Sequence, residues 1–155
     1  MNLRLIQFCK VLAMFVSLLF FSGCSVQGKK IYQTEQGALV GYDPVAYFLE
    51  NKAVPGKAQF QTVRSNATWY FSSAKNQQLF AQTPEEYLPE YGGYCAYAMS
   101  YGLVVSSDPK AFTIIDNKLY LNYSLAVREK WLKGSEKFII QADTKWQNKL
   151  SSVSK

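Results

Sequence analysis

Hydrophobic positions fall into two regimes along this chain. Val11 to Phe21 is an almost unbroken apolar run behind Arg4 and Lys10, and it ends in Phe21-Ser22-Gly23-Cys24. A positive start, a short apolar stretch and small residues before a boundary are the layout of a secretory signal peptide. The run is about a dozen residues, whereas a membrane-spanning helix takes roughly 20, so a stable transmembrane anchor does not fit. Ser25 to about Gln36 is then polar and reads as a tether.

Beyond the tether, short elements alternate. Asp43-Pro44 opens a short helix, with Asp43 as N-cap and Pro44 at the first helical position, where a missing N–H costs nothing. Gln59 to Arg64 and Thr68 to Phe71, on either side of Ser65-Asn66, form a hairpin. A helix follows from Ser72 or Ser73 to about Gln82, with Ala74, Leu79 and Phe80 facing inward, and Thr83 to Glu86 starts a further helical turn. Gly92-Gly93 precedes a short helix from Tyr94 to Ser100 that Gly102 ends. Ala111 to Ile115 and Lys118 to Asn122, around Asp116-Asn117, form a second hairpin. Two helices close the chain, Ser124 to Lys133 and Ser135 to about Leu150. In the second, Ile139, Ala142, Trp146 and Leu150 make an apolar stripe that is expected to dock on the domain. No internal repeat is visible. The expected architecture is a small α+β domain over residues 37–150, after a leader at 1–23 and a tether at 24–36.

Composition narrows the chemistry. Lysine and arginine number 17 against 11 acidic residues, a formal net charge of +6, and Arg4 and Lys10 belong to the leader. The remaining positive charge is scattered rather than gathered in a stripe, so nucleic acid is not an expected partner. Histidine is absent. That excludes Ser-His-Asp and Cys-His nucleophilic machinery and any His-ligated zinc. Of three cysteines, Cys9 leaves with the leader and Cys24 sits at its boundary, so Cys95 stands alone in the mature domain and no disulfide can form within it.

Phe21-Ser22-Gly23-Cys24 resembles a bacterial lipobox. The resemblance implies lipidation of Cys24 with a palmitate-type anchor, and a protein held on the membrane, facing the periplasm of the cell envelope. Ser25 after the cysteine, by resemblance to enterobacterial lipoproteins, favours the outer membrane over the inner. Further along, Trp69-Tyr70-Phe71-Ser72-Ser73-Ala74-Lys75-Asn76 and Pro84-Glu85-Glu86-Tyr87-Leu88-Pro89 resemble a YHS domain, a family related to the metal-binding TRASH modules. Gly41 to Phe48 and Gly92-Gly93-Tyr94-Cys95-Ala96-Tyr97-Ala98 are similar to a secreted or lipoprotein branch of that family. The resemblance covers about residue 40 to 131. Metal-binding relatives carry cysteines where this chain has Ala46, Ser72 and Asn76, so their thiolate site does not carry over.

Two constellations remain. Cys95 and Met99 are four apart in the expected short helix, a soft thiolate and thioether pair suited to Cu(I), and equally a pair suited to core packing. Cys95 at a helix start is also a candidate reactive thiol. Tyr91, Tyr94 and Tyr101, with Tyr87 and Tyr97 nearby, are candidates to line a ligand pocket on one helical face, or else to fill a tyrosine-rich core. Asp43 reads as a helix cap and Asp116 as a turn residue, so no catalytic carboxylate is assigned. The sequence therefore reads as a lipid-anchored binding or accessory protein rather than an enzyme. Copper handling, capture of a non-metal small molecule or partner protein, and thiol redox chemistry through Cys95 stand as the alternatives.

Overall fold

The computed structural model describes residues 30–153, so the leader, Cys9, Cys24 and the first part of the tether lie outside the described residues. The architecture is α+β, with short strands in antiparallel pairs and helices packed over them. Strands β1 (Gln33–Thr34) and β2 (Gly37–Ala38) form a small hairpin that leads into helix α1 (Pro44–Leu49). Strand β3 (Lys57–Arg64) pairs with β4 (Ala67–Phe71), and helix α2 (Ala74–Gln82) follows under the Ser73 cap. After a turn at Glu90–Gly93 come helix α3 (Ala96–Ser100), strand β5 (Asp108–Ile115) paired with β6 (Lys118–Asn122), and helix α4 (Leu125–Leu132) under the Ser124 cap. Helix α5 (Ser135–Val153) closes the chain. Both long hairpins turn on residue pairs in the left-handed region, Ser65-Asn66 and Asp116-Asn117, as two-residue hairpin turns require.

The structure repeats a motif that the residues do not display. Each half runs left-handed turn, short helix, hairpin, serine-capped helix. The strands of the two hairpins have the same lengths, 8 residues before the turn and 5 after it. Their registers coincide as well. Lys57 faces Phe71 and Gln61 faces Tyr70 across one bulge, as Asp108 faces Asn122 and Phe112 faces Leu121 across the other. Ahead of the hairpins, the Asp43 amide donates to the Val54 carbonyl and the Cys95 amide to the Val105 carbonyl, at 2.9 and 3.0 Å. Trp69 lies on Phe80 with ring centroids 5.3 Å apart, and Tyr120 lies on Trp131 at 5.4 Å, both pairs similarly tilted. Val54 and Val105, Asn66 and Asn117, and Ser73 and Ser124 match, but the other paired positions named differ, which is why the sequence conceals the repeat.

Each half has its own core, and β6 runs between them. Leu119 and Leu121 point into the first, with Leu39, Val45, Tyr47, Trp69, Phe71 and Phe80. Tyr120, from the opposite face of the same strand, joins Tyr91, Met99, Trp131 and Ala142 in the second. The α5 stripe does dock on the domain: Ala142 is buried, and Ile139 and Trp146 pack against the second core. Two local expectations need correction. Ala74 is exposed while Asn76 faces inward, and Tyr94 is extended rather than helical because Cys95 takes the N-cap position.

The packed chain begins ahead of the expected domain start. Ile31 is buried in the first core, and the Tyr32 amide donates to the Gly92 carbonyl at 2.8 Å. Gly92 sits at φ +61, and a Cβ there would collide with the Lys30 carbonyl. Gly92→Ala is expected to cost roughly 3 kcal/mol or more, from left-handed strain plus a backbone clash. Gly102→Ala, where φ is +78 but only the aliphatic part of Lys145 is near, should cost about 1–2 kcal/mol. Thermal unfolding of the two variants checks the difference.

Candidate functional site

Ala46, Ser72 and Asn76 converge in space, and Asp43 stands at their centre. Pro44 fixes the start of α1, which leaves the Asp43 carboxylate free to cap it. Oδ1 accepts from the Val45 amide at 2.9 Å and from the Ala46 amide at 3.4 Å. Oδ2 accepts from the Ser72 amide, the Ser72 hydroxyl and the Asn76 side-chain amide, each at 2.7 Å. Asn76 also donates to the Ser72 hydroxyl oxygen at 3.2 Å. Asp43 is fully buried. The network ties α1 to the end of β4 and the first turn of α2.

This arrangement does not fit a metal. A carboxylate offers about four lone-pair sites, and five donors already converge on this one. The side chains present are a hydroxyl, an amide and a methyl group, poor donors for a soft ion. The arrangement does to the neighbouring elements what a bound ion would do, using hydrogen bonds alone. Asp43 and Asn76 are the residues whose roles the sequence reading only half reached. It found the cap, but not that the cap is shared with Ser72 and Asn76.

Cys95 occupies the counterpart of Asp43 in the second half. Its Sγ accepts from the Ala98 amide at 3.5 Å and lies 3.8 Å from Asn122 Oδ1, which also accepts from the Tyr97 amide at 3.3 Å. Met99 follows one turn on, its amide donating to the Cys95 carbonyl at 2.9 Å. Both side chains are 1% exposed. Met99 belongs to the Tyr91, Tyr120 and Trp131 core. The pair is thus closed to solvent, and no cluster of three His, Cys, Asp or Glu residues suited to a metal occurs among the described residues. Asn122 Nδ2 and Trp131 Nε1 are buried without a hydrogen-bond partner.

Of the two readings of the tyrosines, one helical face is not formed, because the chain is not continuously helical from Tyr91 to Tyr101. Tyr91 sits in the left-handed turn and Tyr94 is extended, both buried, while Tyr101 at the end of α3 is 58% exposed. Tyr97 stands edge-on to Tyr101 and to Phe138 of α5. The Tyr91 hydroxyl donates to Asp143 of α5 at 2.8 Å. Burial, reinforced by that hydrogen bond, holds Tyr91 well above the ordinary phenol range. Burial first, and then the nearby charges of Glu90, Asp143 and Asp116, pushes Tyr120 up to about 12. Burial likewise raises Glu90, with Lys118 opposing and Asp143 adding to the shift.

Comparison with protein-family models, with curated proteins and with solved structures finds no match to this chain.

Two outcomes test the site. Asp43→Ala is expected to lower stability by roughly 3–5 kcal/mol, since each orphaned buried donor costs about 1–3 kcal/mol, with Ser72→Ala losing about 1–3 kcal/mol. Denaturant unfolding measures both. The raised tyrosines predict alkaline sensitivity. Folded phenols that ionise above the unfolded value of about 10 contribute stability that is complete below that pH. It drains away as pH rises towards the folded value, about 12 for Tyr120. Loss of folded signal in that window, tracking phenolate absorbance, and its reduction in Tyr91→Phe, is the expected result.

Proposed function

We propose that this chain is a lipid-anchored, YHS-like binding or accessory module of the bacterial cell envelope, and that it works without a metal. The observation that carries the metal-independence is the Asp43 network. The positions at which metal-binding relatives place thiolates are joined by hydrogen bonds to a buried carboxylate with no acceptor capacity to spare. The burial of Cys95 and Met99 also argues against an open copper site and against a reactive thiol. Anchoring rests on the leader and Cys24, which lie outside the described residues. Among the described residues no helix is long and apolar enough to cross a membrane.

Two measurements test this reading. Full-length protein expressed in a bacterial host should fractionate with membranes, and Cys24→Ser should release it or leave the leader uncleaved. Unchanged fractionation of Cys24→Ser with normal processing would remove the lipid anchor. Melting temperature should be the same with and without strong copper and zinc chelators. Stoichiometric Cu(I) binding that Cys95→Ala and Met99→Ala both weaken would instead establish copper handling.

A further inference from the structure

The second half carries a groove that the first half does not reproduce chemically. Its volume is about 370 Å3, and it is lined by Asn51, Lys110, Phe112, Thr113, Ile114 and Arg128. Phe112 and Ile114 pack against the first core and give a largely polar groove a small apolar share of its wall, with Phe112 edge-on to Tyr47 at 4.9 Å. Arg128 is fixed in place. Its Nε donates to the Phe112 carbonyl at 2.6 Å and to the Thr113 hydroxyl at 2.9 Å, and Nη1 donates to Glu129 at 3.0 Å. Nη2 makes no hydrogen bond among the described residues. Asp108 is engaged by the Lys110 amide, and no acidic side chain lines the groove.

The repeat provides an internal control for Arg128. Its counterpart on α2 is Gln77, whose side-chain amide donates to the Gln61 carbonyl at 2.7 Å. Gln61 occupies the same place after the bulge as Phe112 does. A neutral amide therefore suffices to clamp the helix to the bulged strand. The guanidinium of Arg128 is partly met by Glu129 at Nη1, but its charge and its Nη2 group still exceed what that structural task requires. The counterpart of Lys110 is Gln59, again neutral. Two cations thus replace two amides at matching positions, both on the rim of a single groove.

We propose that this groove is an oxyanion site that takes the phosphate group of a small molecule, with Arg128 as the oriented donor and Lys110 as the mobile cation. With Nε and Nη1 engaged, the pinned guanidinium holds Nη2 in a fixed direction, a charged donor suited to a phosphate oxygen. This goes beyond the binding role proposed above by naming a ligand class. It stands on the groove alone, so its failure would leave the anchoring and metal-independence tests unaffected.

The first half also supplies the test variant, Lys110→Gln with Arg128→Gln, which installs the Gln59 and Gln77 chemistry in the second half. The full chain in detergent is titrated with inorganic phosphate, with glycerol 3-phosphate and with acetate, following the Thr113 and Ile114 amide resonances. The expected result is saturable shifts with phosphate, weakened roughly tenfold or more in the double variant, at an unchanged melting temperature. Lys110→Gln alone, at an exposed position, should weaken binding even if the Arg128 change disturbs the fold. Tighter binding of glycerol 3-phosphate assigns an esterified ligand such as a lipid headgroup, and equal binding assigns free phosphate. No saturable shift, equal affinity in the variants, or acetate binding as tightly as phosphate would overturn the proposal.

Discussion

A negative charge removed from water must be met by donors, and the first half of this protein is arranged around that requirement at Asp43. The carboxylate is fully buried, and the elements that enclose it are the ones that supply its partners. The first turn of α1 offers two backbone amides, the end of β4 an amide and a hydroxyl, and α2 a side-chain amide. Shifting α1 or the end of the hairpin alone would strand two donors, and shifting α2 a further one. Apolar packing alone would tolerate sliding among Val45, Phe71 and Phe80. The charge does not, and so it selects one arrangement of α1, β4 and α2.

The second half keeps that backbone frame while changing its chemistry. Cys95 accepts one amide at long range where Asp43 accepts several, and Phe71 gives way to Asn122, which faces the Cys95 thiol. The turn to α3 holds its place instead through aromatic packing and through the Tyr91 contact with Asp143. A two-stranded hairpin is marginally stable by itself, and here each is backed by helices and by contact with the other half. Strand β6 presents one face to each core, and the Tyr47 hydroxyl donates to the Pro109 carbonyl at 3.0 Å across the seam. The halves are therefore mutually buttressed, although each reads as a complete motif.

Local structure was largely legible in the sequence. The Asp43-Pro44 cap, both hairpin turns, the Ser73 and Ser124 caps and the stripe of α5 carry their own signals in residue type and spacing. Three things were not. Asn76 shares the inward face of Leu79 and Phe80 but is polar, and the partner that justifies it there, Asp43, is remote in sequence. The repeat escaped notice because what recurs is register, turn geometry and packing, and paired positions such as Phe80 and Trp131, or Gln77 and Arg128, do not match as letters. The tyrosines looked like a helical face because their spacing permits one. The left-handed backbone at Tyr91 and Gly92 breaks it. Residue identity alone does not announce that conformation at Tyr91.

The way the N-terminal segment enters the fold has a mechanical meaning. Residues 30–32 lead into the first half, yet they lie against Gly92 at the start of the second, held by the Tyr32 amide, the close approach of the Lys30 carbonyl and the buried Ile31. A pull applied to the chain ahead of Lys30 is thus not delivered to the β1–β2 hairpin alone. It loads the Tyr91–Gly93 turn, where the two cores and α5 meet, and shears that segment against the middle of the molecule rather than peeling the domain from one end.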